Sequence, residues 1–469
     1  MNLLPFTQKT LKTGLFLVLF LGSIKAEINL KESVENTEPP AGRIFLKNGD
    51  KLKGTAVSLD ESLNLNFESD KLTNQVLFPI EEIIALKLDK KTPTPLTKTL
   101  ARVELNSRYN QPYGDVLIGE LKELSPENIV IDTSYADSIT IRRSMVKSFK
   151  IMNSEPGNFY GPNNIDEWEQ TSKKTGWLFQ EGSLFSKYHQ SIIGKKMALQ
   201  SSSHISFELS YTQSFKLGLM LFSDSPASMK PNFGCLLELA TSSASLSLIG
   251  DAQAGNQARR HTNRVSYSID RTKQSLTFDI FTDAELGVYR IYIDGIQSAR
   301  LQTNPLEIDN SQGGLSFINN QSTPIKIKKL VVQPWDGHLP TAQNHAELDL
   351  APHNIILNNG DQVPGTVGKV EKDHMIVDTK HAPIKIPLSR IQSFSLESSG
   401  EQPIMKQGDV CLWFHNGGHL TLKPSSITKE KITGYGQAFG ELEINLSDLS
   451  RIDFNIYDDS LKSDRAMAN

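Results

Sequence analysis

Cysteine is almost absent: the 469-residue chain holds two, Cys235 and Cys411. A disulfide framework therefore cannot be its main source of stability. Each Cys lies in an apolar phrase, Cys235-Leu-Leu-Glu-Leu and Cys411-Leu-Trp-Phe. Two buried, unpaired thiols are the expectation and a bridge between them the alternative. A basic surplus is missing as well. Lys and Arg number 49 against 53 Asp and Glu, a formal net charge of −4, which removes the usual electrostatic signature of a nucleic-acid partner. There is no apolar run long enough to cross a bilayer, so the mature chain is expected to have no transmembrane segment. A Gly-x-Ser-x-Gly elbow, a P-loop, a Cys-x-x-Cys pair and a His-Glu-x-x-His helix are all absent. Their absence argues against the commoner enzyme classes, and no cofactor is implied.

What is present begins with an export signal. Lys9 and Lys12 precede a short apolar run, Leu15 to Leu21, and Gly22, Ser23 and Ala26 supply small residues near a cut after Ala26. Residues 1–26 read as a cleaved signal peptide and 27–42 as a linker, which implies a periplasmic or extracellular protein.

The chain then repeats itself. The motif Gly-Asp-x-apolar-x-Gly occurs at Gly49-Asp50, Gly114-Asp115 and Gly360-Asp361, each followed by a second signature of apolar residues. In the first copy these are Phe78, Ile80, Ile83, Leu86 and Leu88, with steps of two, three, three and two. Steps of two are strand periodicity and a step of three is a 3₁₀ turn, so the signature predicts strand, one tight turn, strand. It recurs after Asp361 (Ile386 to Leu396), after Asp115 with Arg143 at one apolar position, and at Ile444 to Phe454. There Gly418-His419 replaces Gly-Asp. Between the signatures residues alternate, as in Leu63-Asn-Leu-Asn-Phe67, and Asn-Gly steps supply hairpin turns. Four copies follow: 43–90, 100–152, 353–397 and 405–457. Each resembles a small SH3-like or Sm-like barrel. Such a unit buries too little core to be stable alone, so packing between neighbours, first with second and third with fourth, is expected. The Gly-Asp pair reads as a hairpin rather than a catalytic element.

Between the two pairs, after a linker at 153–164, residues 165–337 are a run of alternating strands with no amphipathic helix, the mark of a β-sandwich. Trp177-Leu-Phe-Gln-Glu-Gly-Ser-Leu184, Asp283-Ala-Glu-Leu-Gly287 with Tyr292-Ile-Asp-Gly295, and Leu330-Val-Val-Gln-Pro-Trp-Asp-Gly337 make it similar to the concanavalin A-like, laminin-G-like sandwich. Exported proteins of planctomycete and verrucomicrobial type carry such sandwiches beside similar repeats. The resemblance implies a jelly-roll fold shared by lectins, glycan-binding modules and glycosidases. The fold class read from the sequence is thus all-β, a central concanavalin A-like sandwich with two pairs of small barrels. A linker at 338–352 and a flexible tail at 458–469 complete the division.

Four groups of residues are candidates for chemistry. Glu307-Ile-Asp309-Asn-Ser-Gln312 approximates the Glu-x-Asp-x-x-Glu of glycosidases of that superfamily. Gln at the acid/base position cannot deliver a proton, and the following Gly313-Gly314 suggests a loop. Tyr188, Tyr211, Tyr267, Tyr289, Tyr292 and Trp168 could be sugar platforms or core. Arg259, Arg260 and Arg264, with His261, form a basic patch suited to an acidic ligand. Cys411, His415 and His419 are spaced four apart, and Asn416-Gly-Gly418 between the histidines would set them opposite each other in a hairpin, a candidate metal site. No catalytic residue is assigned. The reading is a non-catalytic binding or scaffolding protein of the cell envelope, with a polysaccharide or envelope proteins as partners. A carbohydrate-active enzyme and an assembly module using open strand edges are the alternatives.

Overall fold

The computed structural model describes residues 40–468 apart from 70, 90–98, 109–113, 153–157, 172–175, 250–259, 309–312, 340–353, 359–360, 372–373 and 395–399. The export signal and most of the linker after it lie outside the described residues. Among the described residues the only α-helix is Lys462–Met467, and the rest of the regular structure is strand and 3₁₀ turn. The all-β expectation holds.

Each repeat has the same ladder. In the first, Gly42–Leu46 pairs with Lys51–Leu59, which continues onto Asn64–Glu68, which pairs with Val76–Pro79. A 3₁₀ turn at Ile80–Glu82 leads into Ile83–Leu88, which returns to the free side of Gly42–Leu46. Ile44, Leu65, Phe67 and Leu86 fill the enclosed core. The other repeats reproduce this order, with 3₁₀ turns at Arg143–Met145, Leu388–Arg390 and Leu446–Asp448. The steps of three in the sequence are these turns. The first turn residue is buried as Ile80, Leu388 and Leu446. In the second repeat Arg143 takes that place, and its Nη1 donates to the Ser125 carbonyl at 2.9 Å.

The motif's last glycine marks a close approach of two strands. A Cβ on Gly54 would lie 2.0 Å from the Glu68 carbonyl oxygen, and one on Gly119 would lie 2.5 Å from that of Asp132. In the fourth repeat Lys423 occupies this position, and the glycine has moved to the facing strand, where a Cβ on Gly434 would meet the Lys423 carbonyl oxygen at 2.5 Å. In the third repeat a Cβ on Gly365 would meet Val377 at 2.7 Å and the Asp378 carbonyl at 2.8 Å, whereas one on Gly368 has 3.3 Å or more. Gly365→Val is therefore expected to cost about 1–3 kcal/mol through crowding and Gly368→Val less. Urea unfolding of the two variants checks this, and equal midpoints would contradict it.

The repeats do not pair as neighbours. Strand Ile83–Leu88 of the first pairs antiparallel with Leu449–Asp453 of the fourth, Leu86 opposite Ile452. Strand Val146–Met152 of the second pairs with Ile391–Phe394 of the third, Phe149 opposite Phe394, and the two rings stack at 4.4 Å. The second and fourth also meet, at His419 opposite Val116 and where Tyr135 stacks on Phe414 at 3.7 Å. There are two pairs, but each joins a repeat before the sandwich to one after it. The physical reason is that each barrel's last strand has a free edge, and nothing in local sequence says which other edge it takes.

The sandwich has two antiparallel sheets. The larger runs in the order Leu178–Gln180, Ser183–Ser186, Ile325–Pro334, Ser202–Tyr211, Ser275–Asp283, Val288–Ile293, Ile296–Gln302. The smaller runs Ser191–Lys196, Gly314–Asn319, Lys216–Leu221, Gly234–Ala240, Ser243–Ile249, Arg260–Ser266. Phe207 of the larger and Phe317 of the smaller meet edge to face at 5.6 Å in the shared core, each buried side chain contributing about 1.5–3 kcal/mol. Strand Phe159–Gly161, within the expected 153–164 linker, already belongs to the larger sheet: it pairs with Ile325–Pro334, Tyr160 opposite Val331. The sandwich therefore starts and ends side by side. An insert with adjacent ends leaves the halves on either side of it free to meet.

The tail is ordered. Asp458 accepts the Ser460 amide at 3.0 Å, a 3₁₀ turn and the helix follow, and Leu461, Ala466 and Ala468 are buried. Arg465 fixes the turn by donating to the Asn455 and Asp458 carbonyls, both at 2.9 Å. Its polar composition hid the three small or apolar contacts that dock it.

Candidate functional site

Strand Ser202–Tyr211 alternates: Ile205, Phe207 and Leu209 point into the core, while His204, Ser206, Glu208 and Ser210 are half-buried on the outer face. Strand Leu100–Leu105 of the second repeat does the same, burying Ala101, Val103 and Leu105 and turning Arg102 and Glu104 outward. The adjacent strand Ser275–Asp283 turns Thr277 and Asp279 to the same outer face, opposite Glu208 and Ser206, and it is this part of the face that looks onto Leu100–Leu105 across a cleft of about 1050 Å³. One wall carries Thr277, Asp279, Ser298 and Lys329 of the sandwich, and the other carries Arg102, Glu104, Ser148 and Lys150. Tyr160 and the stacked Phe149 and Phe394 also line it, and Ile296, 71 % exposed, stands at its rim.

The cleft's carboxylates are already occupied. Asp294 accepts from Lys273 at 2.6 Å and from the Thr277 amide at 2.8 Å, and Asp270 accepts from the Thr272 amide at 2.9 Å. Glu104 accepts from Ser148 Oγ at 3.3 Å and Lys147 Nζ at 3.4 Å. Burial alone would raise Glu104, but Lys329, Lys147 and Arg102 outweigh it and hold the carboxyl below its ordinary range. It stays ionised and is no general acid. His204 is bound at both nitrogens: Nε2 faces Asp279 at 2.9 Å and Nδ1 accepts from Gln333 at 3.2 Å. No ring nitrogen is left to take a proton from a nucleophile. The arrangement can bind, and none of these groups is set up for proton transfer.

The cations are less well matched. Lys150 lies directly opposite Arg102 in the ladder between Val146–Met152 and Leu100–Leu105. Burial, reinforced by Arg102 and Lys329, pushes the Lys150 ammonium down to about 8, against Asp279 and Glu104.

The residues singled out from the sequence lie elsewhere. Arg259 is outside the described residues, Arg260 opens the edge strand Arg260–Ser266, and Arg264, exposed on it, donates to Ser243 Oγ at 3.1 Å. His419 does not face His415. The hairpin register sets it opposite Trp413, on which it stacks at 4.5 Å, because the turn takes up His415-Asn416-Gly417 and pairs Phe414 with Gly418. Its Nε2 donates to the Gly114 carbonyl of the second repeat at 3.1 Å, and burial pushes its imidazole down to about 4, so it is neutral. Among the described residues no group of three His, Cys, Asp or Glu could hold a metal. Both cysteines are free thiols, and burial pushes Cys235 up to about 12 and Cys411 well up. Glu307 is exposed in a loop, and Asp309 and Gln312 lie outside the described residues. Tyr211, Tyr289, Tyr292 and Trp168 are buried, and Tyr188 is exposed. Alternation in Leu100–Leu105 could have marked Arg102 and Glu104 as outward, but only the fold shows what they face.

No helix among the described residues is long and apolar enough to cross a membrane. No family model matches the chain, and no curated protein does. Among solved structures, a carbohydrate-binding module, CBM66, from Bacillus subtilis is similar over 37% of this chain and 99% of its own, at 12% identity and a TM-score of 0.28. A legume lectin-like domain from Entamoeba histolytica is similar over 36% of this chain and 91% of its own, at 9% identity and 0.29. A native glycosidic hydrolase is similar over 40% of this chain and 99% of its own, at 10% identity and 0.26.

Proposed function

We propose that this is an exported, non-catalytic binding protein of the cell envelope that holds a polysaccharide chain in the cleft between its sandwich and its second repeat. The observation that carries the reading is the cleft itself. At about 1050 Å³ it lies at the upper end of the range for small-molecule sites and suits several linked sugar rings. Its walls offer hydroxyls, carboxylates and cations for a polyhydroxylated ligand, and Tyr160 and Ile296 offer apolar surface for ring faces. The occupied carboxylates and the doubly bound His204 favour binding over hydrolysis. The assembly alternative is less favoured, because the open edges of all four repeats' last strands pair with one another inside the chain.

Thr277 is exposed and central on the sandwich wall, so Thr277→Trp fills the cleft without entering the core. In affinity electrophoresis against a panel of soluble polysaccharides, the full chain is expected to be retarded by at least one. Thr277→Trp should lose that retardation at an unchanged melting temperature. Retardation by none of the panel, or retardation indifferent to Thr277→Trp, would overturn the reading.

A further inference from the structure

Arg102 and Lys150 occupy one directly opposed pair on adjacent strands, both outward and both half-buried in the cleft. Opposed residues of an antiparallel pair have Cβ atoms about 5 Å apart, and like charges there are destabilising. Neither forms an ion pair within 4 Å among the described residues, although twenty such pairs occur elsewhere. A third cation reaches the cleft from the sandwich by a distortion of its strand. The ladder between Ser202–Tyr211 and Ile325–Pro334 slips between Ser206 and Glu208, and Lys329 at this bulge has φ of +55°. A left-handed conformation at a non-glycine residue is strained, and bulges of this kind re-aim side chains at functional sites. Lys329 shares Glu208 with Lys328, at 3.4 Å and 2.7 Å, so the acid on its own sheet is divided between two ammonium groups. On the same wall Asp279 is taken up by His204, and on the opposite wall Glu104 is taken up by Ser148 and Lys147. A like-charge pair with no ion-pair contact of its own and a strained lysine thus converge on one cleft, each at a cost to the fold that an incoming anion would offset.

We propose that Arg102, Lys150 and Lys329 form a subsite for an anionic substituent of the bound saccharide, a carboxylate or a sulfate ester. This rests on the polysaccharide reading and narrows it to acidic chains. The planar guanidinium of Arg102 suits two oxygens of such a group, and the two ammonium groups supply charge from both walls.

The test titrates the full chain calorimetrically with size-matched oligosaccharides: oligogalacturonate for carboxylate, sulfated dextran for sulfate, and neutral dextran. At least one charged ligand is expected to bind at least tenfold more tightly than the neutral one, and the tighter arm identifies the substituent. Arg102→Gln with Lys150→Gln should weaken that ligand at least tenfold and flatten its salt dependence. Binding of neutral dextran should weaken less than that of the charged ligand. The double variant removes a repelling pair, so its melting temperature should be equal or higher, which separates lost binding from lost folding. Equal affinity for charged and neutral ligands, or tight anion binding that survives the double substitution, would overturn the subsite and leave the polysaccharide reading standing. Binding of no saccharide in any arm would overturn both.

Discussion

Expressed alone, residues 40–152 are expected not to unfold as a cooperative unit, although they contain two complete repeats. The first repeat's last strand would lose its partner Leu449–Asp453 and the amide of Asn455, which donates to the carbonyls of Ile80 at 3.0 Å and Ile83 at 2.9 Å. The second would lose the ladder to Ile391–Phe394, the Phe394 ring on Phe149 and the Phe414 ring on Tyr135. A barrel of some 45 residues buries too little of its surface to tolerate this. Supplied in trans, residues 354–468 should restore a one-to-one complex with a sharp urea transition followed by far-ultraviolet circular dichroism. A fragment that melts sharply by itself would mean that neighbouring repeats suffice.

The second large effect is at Asp115, the motif acid of the second repeat. Its counterparts Asp50 and Asp361 are exposed, but Asp115 is buried, bound by Arg108 through two contacts of 3.2 and 3.3 Å and by the Thr421 hydroxyl at 2.8 Å. Arg108 is itself buried, and the attraction of Asp115 keeps it charged against the penalty of burial. Asp115→Ala strands that guanidinium and is expected to cost about 3–5 kcal/mol. Asp50→Ala removes an exposed carboxylate and should change stability by about 0.5 kcal/mol or less. Replacing both partners, Asp115→Leu with Arg108→Leu, should be milder than Asp115→Ala alone, because no charge is left buried. Comparable denaturation midpoints for Asp115→Ala and Asp50→Ala would show that burial of the motif acid does not matter.

The same site explains why the fourth copy of the motif has decayed. His419, at the Asp position, lies beside Gly114 and Val116, with Thr421 on Asp115. An aspartate there would set a second carboxylate next to Asp115 where a neutral imidazole and a hydroxyl now donate. A histidine in place of the motif acid thus suits the fourth repeat's packing on the second.

How much of this was legible in the sequence follows from the range of each interaction. The five-strand ladders and their 3₁₀ turns depend on residues within one repeat, so the steps of two and three revealed them. The sandwich was legible as alternation over 165–337 for the same reason, although its first strand, Phe159–Gly161, hid in a turn-rich stretch. Which edge meets which depends on residues some 250 to 370 positions apart, such as Phe149 with Phe394 and Leu86 with Ile452, and alternation is silent on that. The cleft is less legible still. Arg102, Lys150 and Lys329 are unremarkable single cations in the chain, and only strand register and a bulge bring them together. The local cluster at Arg259, Arg260 and Arg264 stood out in sequence for the opposite reason, adjacency along the chain.

The cross-pairing of repeats is tested most directly by a disulfide. Lys150 and Ser393 are opposed across the ladder between the second and third repeats, and antiparallel opposed residues have the Cα separation, about 4.5–5.5 Å, that a disulfide spans. Cys235 and Cys411 are buried and should not compete. On mild oxidation of Lys150→Cys with Ser393→Cys, the expected result is one intramolecular bond, recovered by proteolysis and mass spectrometry as a peptide of the second repeat linked to a peptide of the third. Two thiols that stay free, or that link only between molecules, would contradict the cross-pairing.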